Sequence, residues 1–289
     1  MFRVQKNILL YSITILFTHF IESNYQAEHH VDFDETMRYQ FVDNQKDLFN
    51  FDKKFYLGLP FQPLLQAMLE GVMPYDFLDL SIDDQNPYLL IKSTANYVYL
   101  LGKPNQDQLE AILLALSQYK GLALICDESL QSYFVQHGFS LQSRMEFEYA
   151  GNKELMQNDL PEGFQVQPLN LALFKQSAWY GFIASIYAGP QRFLDKGFGF
   201  ALVDEAGNSV AQAYGTFIGN GLCEIGIVTH PDHRGKGYIL YPAIALIQEC
   251  FARGIKPVWS CNVENIASFK TAHKLGFKIK HHYAFLKKY

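Results

Sequence analysis

From Tyr97 onward the chain passes twice through one order of elements: strand, helix, strand, helix, strand. In the first pass Tyr97-Val98-Tyr99-Leu100-Leu101 is β-branched and aromatic, and Gly102-Lys103-Pro104-Asn105 breaks it. Leu109, Ile112, Leu113 and Leu116 then recur at helical spacing, which predicts an amphipathic helix over 107–118. Leu122–Cys126 is a short apolar strand, Ser129–Gln136 a helix ending at His137-Gly138, and Arg144–Tyr149 a closing strand. The second pass runs through a strand over Cys223–Thr229, a helix over 238–253 that stops at Gly254, and a strand over Pro257–Ser260. A helix over Asn265–Lys274 and a strand over Lys278–Leu286 complete it, with Gly276-Phe277 standing where Gly138-Phe139 stands earlier. Ahead of this copy lie a strand at Phe164–Gln167, a helix over 171–187, and a hairpin of 199–203 with 209–218 around Glu205-Ala206-Gly207-Asn208. Strands alternating with helices predict an α/β (α+β) chain whose mixed sheets are flanked by helices. The expected organisation is a leader of uncertain status over 1–36, a first lobe over 37–150, the polar joint Gly151–Pro161, and a second lobe over 162–289.

Composition supports a packed core and narrows the partners. Of 289 residues, 49 % are hydrophobic and 18 % charged, which excludes a disordered chain. The net charge of −5, with no Lys/Arg run, argues against nucleic acid as a partner. Cys126, Cys223, Cys250 and Cys261 form no CxxC pair, so neither a zinc site nor a disulfide framework is expected and no metal is called for. Reduced thiols fit the cytoplasm. The apolar run Ile8–Phe17 behind Arg3 and Lys6 resembles the front of a secretory signal, but it is too short to span a bilayer and no small-x-small cleavage site follows. Two readings stand: export or anchoring through residues 8–17, or a true start at Met37. No stable membrane insertion is expected; the oligomeric state is open.

The chemistry lies in Glu224-Ile225-Gly226-Ile227-Val228-Thr229-His230-Pro231-Asp232-His233-Arg234-Gly235-Lys236-Gly237-Tyr238-Ile239. A strand enters a loop with two glycines and a helix leaves it; backbone N–H groups in such a loop, aimed by the helix dipole, form an anion cradle. The spacing is neither GxxxxGK[ST] nor GxGxxG. Arg234-Gly235-Lys236-Gly237 resembles the pyrophosphate loop of the GNAT acetyltransferases. Asn265-Ile266-Ala267-Ser268, followed by Ala272-His273-Lys274-Leu275-Gly276-Phe277, resembles that superfamily's downstream block. Trp259-Ser260-Cys261 and the degenerate first lobe are similar to the two-lobed subgroup that includes zwittermicin A resistance proteins. The sequence departs from the pattern at Ile239, where relatives carry Gly or Ala, and at Ala272, where many carry a tyrosine that protonates the leaving thiolate.

The resemblance implies a GNAT-like second lobe preceded by a degenerate GNAT-like first lobe, and acetyl-CoA as co-substrate for N-acetylation of a small amine. It assigns Ile227, Val228 and Thr229 to backbone contact with pantetheine and carbonyl. Arg234, Gly235, Lys236, Gly237, Tyr238 and Ile239 take the pyrophosphate, and Asn265 and Ser268 the pantetheine side. Glu224, at the upstream end of the strand, is the expected base acting through water, and Gly226 the expected bulge. Glu224 as a solvated or ion-paired carboxylate is the rival reading. His230, His233 and His273 read as surface histidines, Cys261 as a core thiol, Asn265 also as a helix N-cap, and His29-His30 as no metal site. Two alternatives remain: aminoacyl transfer from charged tRNA, which paired GNAT-like lobes also perform, and a non-catalytic acetyl-CoA-binding module.

Overall fold

The structure, a computed structural model, describes residues 58–81, 85–151 and 160–289. The leader with its run at 8–17, Met37, the His29-His30 pair and most of the joint fall outside the described residues.

The first half opens with α1 (Gln62–Leu69) and three strands, β1 (Tyr75–Ser81), β2 (Tyr88–Ser93) and β3 (Tyr97–Gly102). It continues through α2 (Gln106–Ser117), β4 (Leu122–Ile125), α3 (Glu128–Gln136) and β5 (Ser140–Tyr149). Asn105, read as part of a breaker, starts α2 through a capping box. Its side chain accepts from Gln108 N–H at 3.0 Å, and Gln108 Oε1 accepts from Asn105 N–H at 2.7 Å.

The second half runs β6 (Gln165–Pro168), α4 (Leu171–Lys175), α5 (Tyr180–Ile186), α6 (Pro190–Lys196), β7 (Gly199–Val203), β8 (Ser209–Gly219) and β9 (Leu222–Thr229). After the loop come α7 (Leu240–Ala252), β10 (Lys256–Asn262), α8 (Ile266–Lys274) and β11 (Phe277–Lys288). The helix expected over 171–187 is two helices. Ser177 Oγ takes the Trp179 N–H at 3.0 Å, so a side chain replaces the helical acceptor and the turn breaks there.

All eleven described strands join one sheet in the order β1-β2-β3-β4-β11-β5-β10-β9-β8-β7-β6. Each half contains a parallel pair joined by a helix, β3 with β4 and β9 with β10. The closing strands are exchanged. β5 of the first half pairs antiparallel with β10 of the second, β11 pairs antiparallel with β4 of the first, and β5 and β11 lie side by side at the centre.

Alternation along the strands divides the core. Tyr88, Leu90, Leu124 and Phe134 pack with Leu286 under α2 and α3, while Phe147, Ile225, Trp259 and Phe277 pack under α7 and α8. The opposite face holds one cluster drawn from both halves, in which Leu64, Leu65, Tyr99 and Ile125 meet Ile183, Tyr187, Phe193, Tyr214, Phe217 and Phe285. Such a shared cluster ties the halves together by the same apolar burial that stabilises each.

Candidate active site

The ladder between β9 and β10 is short: Leu222, Cys223 and Glu224 face Lys256, Pro257 and Val258, and there it ends. Beyond that point β9 stays with β8 as far as Thr229, while β10 turns to β5 as far as Asn262. The two parallel strands therefore diverge toward their carboxyl ends, and a cleft opens along an unpaired strand edge. His230 N–H bonds back to Val210 C=O across β8 at 2.9 Å. By alternation, the N–H and C=O groups of Thr229 and Ile227 point the other way, into the cleft, with those of Val228 toward β8.

The arms of the cleft carry the starts of two helices. On the β9 side, Pro231–His233 form a single 3-10 turn, Arg234 is extended, and Gly235 and Gly237 have φ of +77° and +78°. A Cβ would meet open space at either glycine, so the left-handed backbone is what requires them. The first turn bond is made by Leu240 N–H to Gly237 C=O at 3.1 Å, and among the described residues the N–H groups of Gly235 to Ile239 make no backbone hydrogen bond. Five consecutive donors thus precede the positive end of α7, which suits a diphosphate. Pro242, third in α7, sits where no intrahelical donor is needed.

Lys236 Nζ lies 5.9 Å from the Tyr238 ring centre, and Arg234 Nε donates to Thr229 C=O at 3.4 Å. Ile239, the departure from Gly/Ala, packs with Tyr238 against Leu202, Val210 and Ala211. On the β10 side, Asn265 caps α8 by accepting from Ser268 N–H at 3.0 Å. Ser268 Oγ accepts from Trp259 Nε1 at 3.0 Å, so this hydroxyl holds the tryptophan.

Glu224 stands at the apex, where the strands part. It is 7 % exposed, and Ser260 Oγ donates to its Oε1 at 2.6 Å, while buried Oε2 has no partner. Burial pushes its carboxyl up to about 7; the Ser260 hydrogen bond and the Arg144 charge pull it down, and Glu146 pushes it up. It is therefore neither solvated nor tied in a direct ion pair. The bulge expected at Gly226 lies instead in β8, where Thr216 is the extra residue between Gly215↔Ile225 and Phe217↔Glu224. Gly226 is still required: a Cβ there would overlap Thr216 Oγ1, which the bulge presses against β9. Position 226, paired with Tyr214, thus lies beside the bulge and leaves the room that the Thr216 side chain takes.

Sequence reasoning missed Arg144, the centre of the polar network. Register places Asn262 directly opposite Arg144 on β10 and Tyr283 opposite it on β11. Nη1 donates to Asn262 Oδ1 at 2.6 Å, Nη2 to Ser260 Oγ at 2.7 Å, and Nε to Tyr283 Oη at 2.9 Å. The guanidinium lies 4.7 Å from the Phe285 ring centre. Arg144 falls in phase with Glu146 and Glu148 on the polar positions of the alternating run 144–149, so the strand pattern alone does not mark it.

The remaining titratable groups differ in setting. His230 and His273 are exposed and His233 is half-buried, while Cys261 is buried with its thiol pushed up by burial. Ala272, on the inner face of α8, is fully buried and offers no acid. Among the described residues, no group of three His, Cys, Asp or Glu is placed to hold a metal, and no helix is long and apolar enough to cross a membrane.

Comparisons with known proteins agree with this geometry. A family model described as GNAT acetyltransferase matches residues 60–286. The chain is 30 % identical over 121 residues to YdfB, an uncharacterized N-acetyltransferase of Bacillus subtilis (strain 168), covering 41 % of this chain and 46 % of that protein. It is 39 % identical over 64 residues to YjdG, another uncharacterized N-acetyltransferase of that strain, covering 22 % and 38 %. The chain thus spans less than half the length of either curated relative. Among solved structures, a GCN5-related N-acetyltransferase-like protein from Streptococcus suis 89/1591 superposes with TM-score 0.63 at 23 % identity, over 84 % of this chain and 98 % of that one. A GCN5-related N-acetyltransferase from Kribbella flavida gives TM-score 0.54 at 16 % identity, over 78 % and 93 %. At those identities the structures speak for the fold alone, and none of these matches singles out the zwittermicin-type subgroup.

Proposed function

Because the chain belongs to the GNAT acetyltransferase family, whose model covers residues 60–286, we propose that it moves the acetyl group of acetyl-CoA onto the nitrogen of a small amine. One observation carries this reading: the β9–β10 ladder stops at Glu224↔Val258, just ahead of a loop with five N–H donors free of backbone bonds. A strand edge beside an anion cradle suits an extended thioester chain that ends in a diphosphate. In this reading Gly235 to Ile239 bind the diphosphate through main-chain N–H groups, with Arg234 and Lys236 adding charge. Ile227 and Thr229 offer the cleft-facing main chain, with Val228 between them, and Asn265 and Ser268 border the pantetheine arm from α8.

The amine must reach the thioester carbonyl unprotonated. Glu224, with its carboxyl near 7 and Oε2 unpartnered, is suited to take the ammonium proton through water near neutral pH. The nitrogen attacks the carbonyl carbon, the C–S bond breaks, and CoA leaves as the thiolate, which takes up the proton that the acylated nitrogen sheds. No side chain is assigned to that last proton, since Ala272 carries none. We place the reaction in the cytoplasm, in keeping with four free, buried cysteines. The acidic net charge favours a small acceptor over charged tRNA.

Calorimetry and turnover test the reading together. Gly237→Asp sets a carboxylate at the cradle and a side chain at φ +78°, so acetyl-CoA binding is expected to disappear; unchanged affinity overturns the loop assignment. Glu224→Gln is expected to lower the rate about 10²-fold or more with acetyl-CoA affinity nearly unchanged, measured over a panel of primary amines. The buried Ala272 favours a second reading, a binding module without turnover. Acetyl-CoA binding with no acetylated amine across the panel would establish it.

A further inference from the structure

One strand of the first half, β5, reaches into the apex of the cleft beside Glu224. We propose that Arg144, on the strand β5 that the first half lends to the second, is a positioning residue for acetyl transfer. Acting through Ser260, it ties down Glu224 Oε1 and leaves Oε2 as the oxygen that takes the acceptor's proton. This rests on Glu224 being the base.

The hydrogen-bond directions carry the inference. Arg144 has no acceptor, so its Nη2, at 2.7 Å, must donate to Ser260 Oγ. That donation occupies a lone pair of the serine and turns its single proton outward, toward Glu224 Oε1 at 2.6 Å. The carboxylate is thereby fixed with one oxygen satisfied, and buried Oε2 remains without a partner. Arg144 is itself clamped. Asn262 and Tyr283 take two further donors from strands on either side, and Phe285 lies under the guanidinium plane at 4.7 Å. Three fixed donors in one plane are a property of arginine that lysine lacks. Because β5 sits between β10 and β11, the exchange of closing strands is what brings a first-half residue to this point.

The groups around Glu224 set the sign of its response. Arg144 and Glu146 face it from β5, Tyr97 and Tyr99 from β3, Tyr283 from β11, Cys261 from β10, and Cys223 adjoins it on β9. Glu146 is engaged by Lys280 Nζ at 2.8 Å, with His281 Nε2 3.9 Å away. Of these groups Arg144 is the cation, and its charge favours the ionised carboxylate; removing it must raise the pH at which Glu224 loses its proton.

The test compares Arg144→Met, Arg144→Lys and Ser260→Ala in the full chain. A carboxyl ¹³C titration of Glu224, identified by its disappearance in Glu224→Gln, is read beside acetyl transfer to whichever panel amine the wild type modifies fastest. Arg144→Met and Ser260→Ala are expected to move the Glu224 titration, and the acid limb of kcat/KM, upward by about one pH unit. The kcat should fall at least tenfold with the KM for acetyl-CoA little changed, and Arg144→Lys should recover the titration more fully than the rate. Ser260→Ala removes the relay and leaves the bonds of Arg144 to Asn262 and Tyr283 in place, so it reports even if Arg144→Met does not fold. A slow Glu224→Gln alongside wild-type titration and rate in Ser260→Ala and Arg144→Lys overturns the role of Arg144 alone. A Glu224→Gln as fast as wild type removes the base reading and the positioning role with it.

Discussion

Holding Glu224 ionised works against folding. Its carboxyl sits near 7 in the folded protein against an ordinary value near 4.5, chiefly through burial. A group that binds its proton more tightly when folded stabilises the fold at low pH, and that contribution is lost as pH rises through the unfolded and then the folded value. The window here runs from about 4.5 to about 7, and the cost above it is on the order of 3 kcal/mol. Glu224→Gln, a neutral isostere, should therefore be more stable than wild type by roughly 3 kcal/mol at pH 8 and close to it at pH 4, while losing activity. Urea unfolding at the two pH values measures this, and an equal effect at both would show that ionisation is not the cause. Glu224 was legible because it opens the strand that leads into the glycine loop. Arg144 and Thr216 were not: an arginine in a strand and a threonine in a bulge acquire meaning only from the residues paired beside them.

At the level of elements, what was legible is what a short window determines. Gly235 and Gly237 predicted a loop between strand and helix, and the loop is there, with both glycines in left-handed backbone; the hairpin of β7 with β8 follows from its turn residues. The helix over 171–187 failed because Ser177 offers a local acceptor that periodicity does not record. The bulge moved to β8 because a glycine marks close approach without saying which strand carries the extra residue. Asn265 shows one position serving two demands. As N-cap of α8 it accepts from Ser268 N–H at 3.0 Å, and Asn265→Ala should cost about 1 kcal/mol of stability. Asn265→Asp keeps the capping oxygen, so thermal unfolding should stay near wild type. It also trades an amide donor for a carboxylate, so acetyl-CoA should bind several-fold more weakly by calorimetry. Equal affinity in Asn265→Asp would leave Asn265 as a cap and nothing more.

Over the whole molecule, the exchange of β5 and β11 escapes any local reading. Both strands were expected from their own residues, but the partner of each lies in the other half, more than a hundred positions away along the chain. The consequence is energetic coupling. Leu286, from the last strand of the second half, packs in one cluster with Phe134, Phe139 and Leu124 of the first, and the opposite face shares a single cluster between the halves. Neither half can lose its closing strands without exposing the core of the other, so the described chain should unfold in one transition. Both tryptophans, Trp179 and Trp259, lie in the second half, and Trp259 is buried against Phe277 beneath α8. Trp179 packs against the cluster shared by the halves, so fluorescence follows the second half and that shared core, whereas far-ultraviolet circular dichroism follows the whole described chain. Phe134→Ala, in α3 of the first half, deletes a fully buried ring and should cost about 3–5 kcal/mol. In urea the fluorescence and dichroism midpoints should fall together by the same amount. A fluorescence transition that stays in place while the dichroism curve splits in two would show that the halves unfold separately despite their shared sheet.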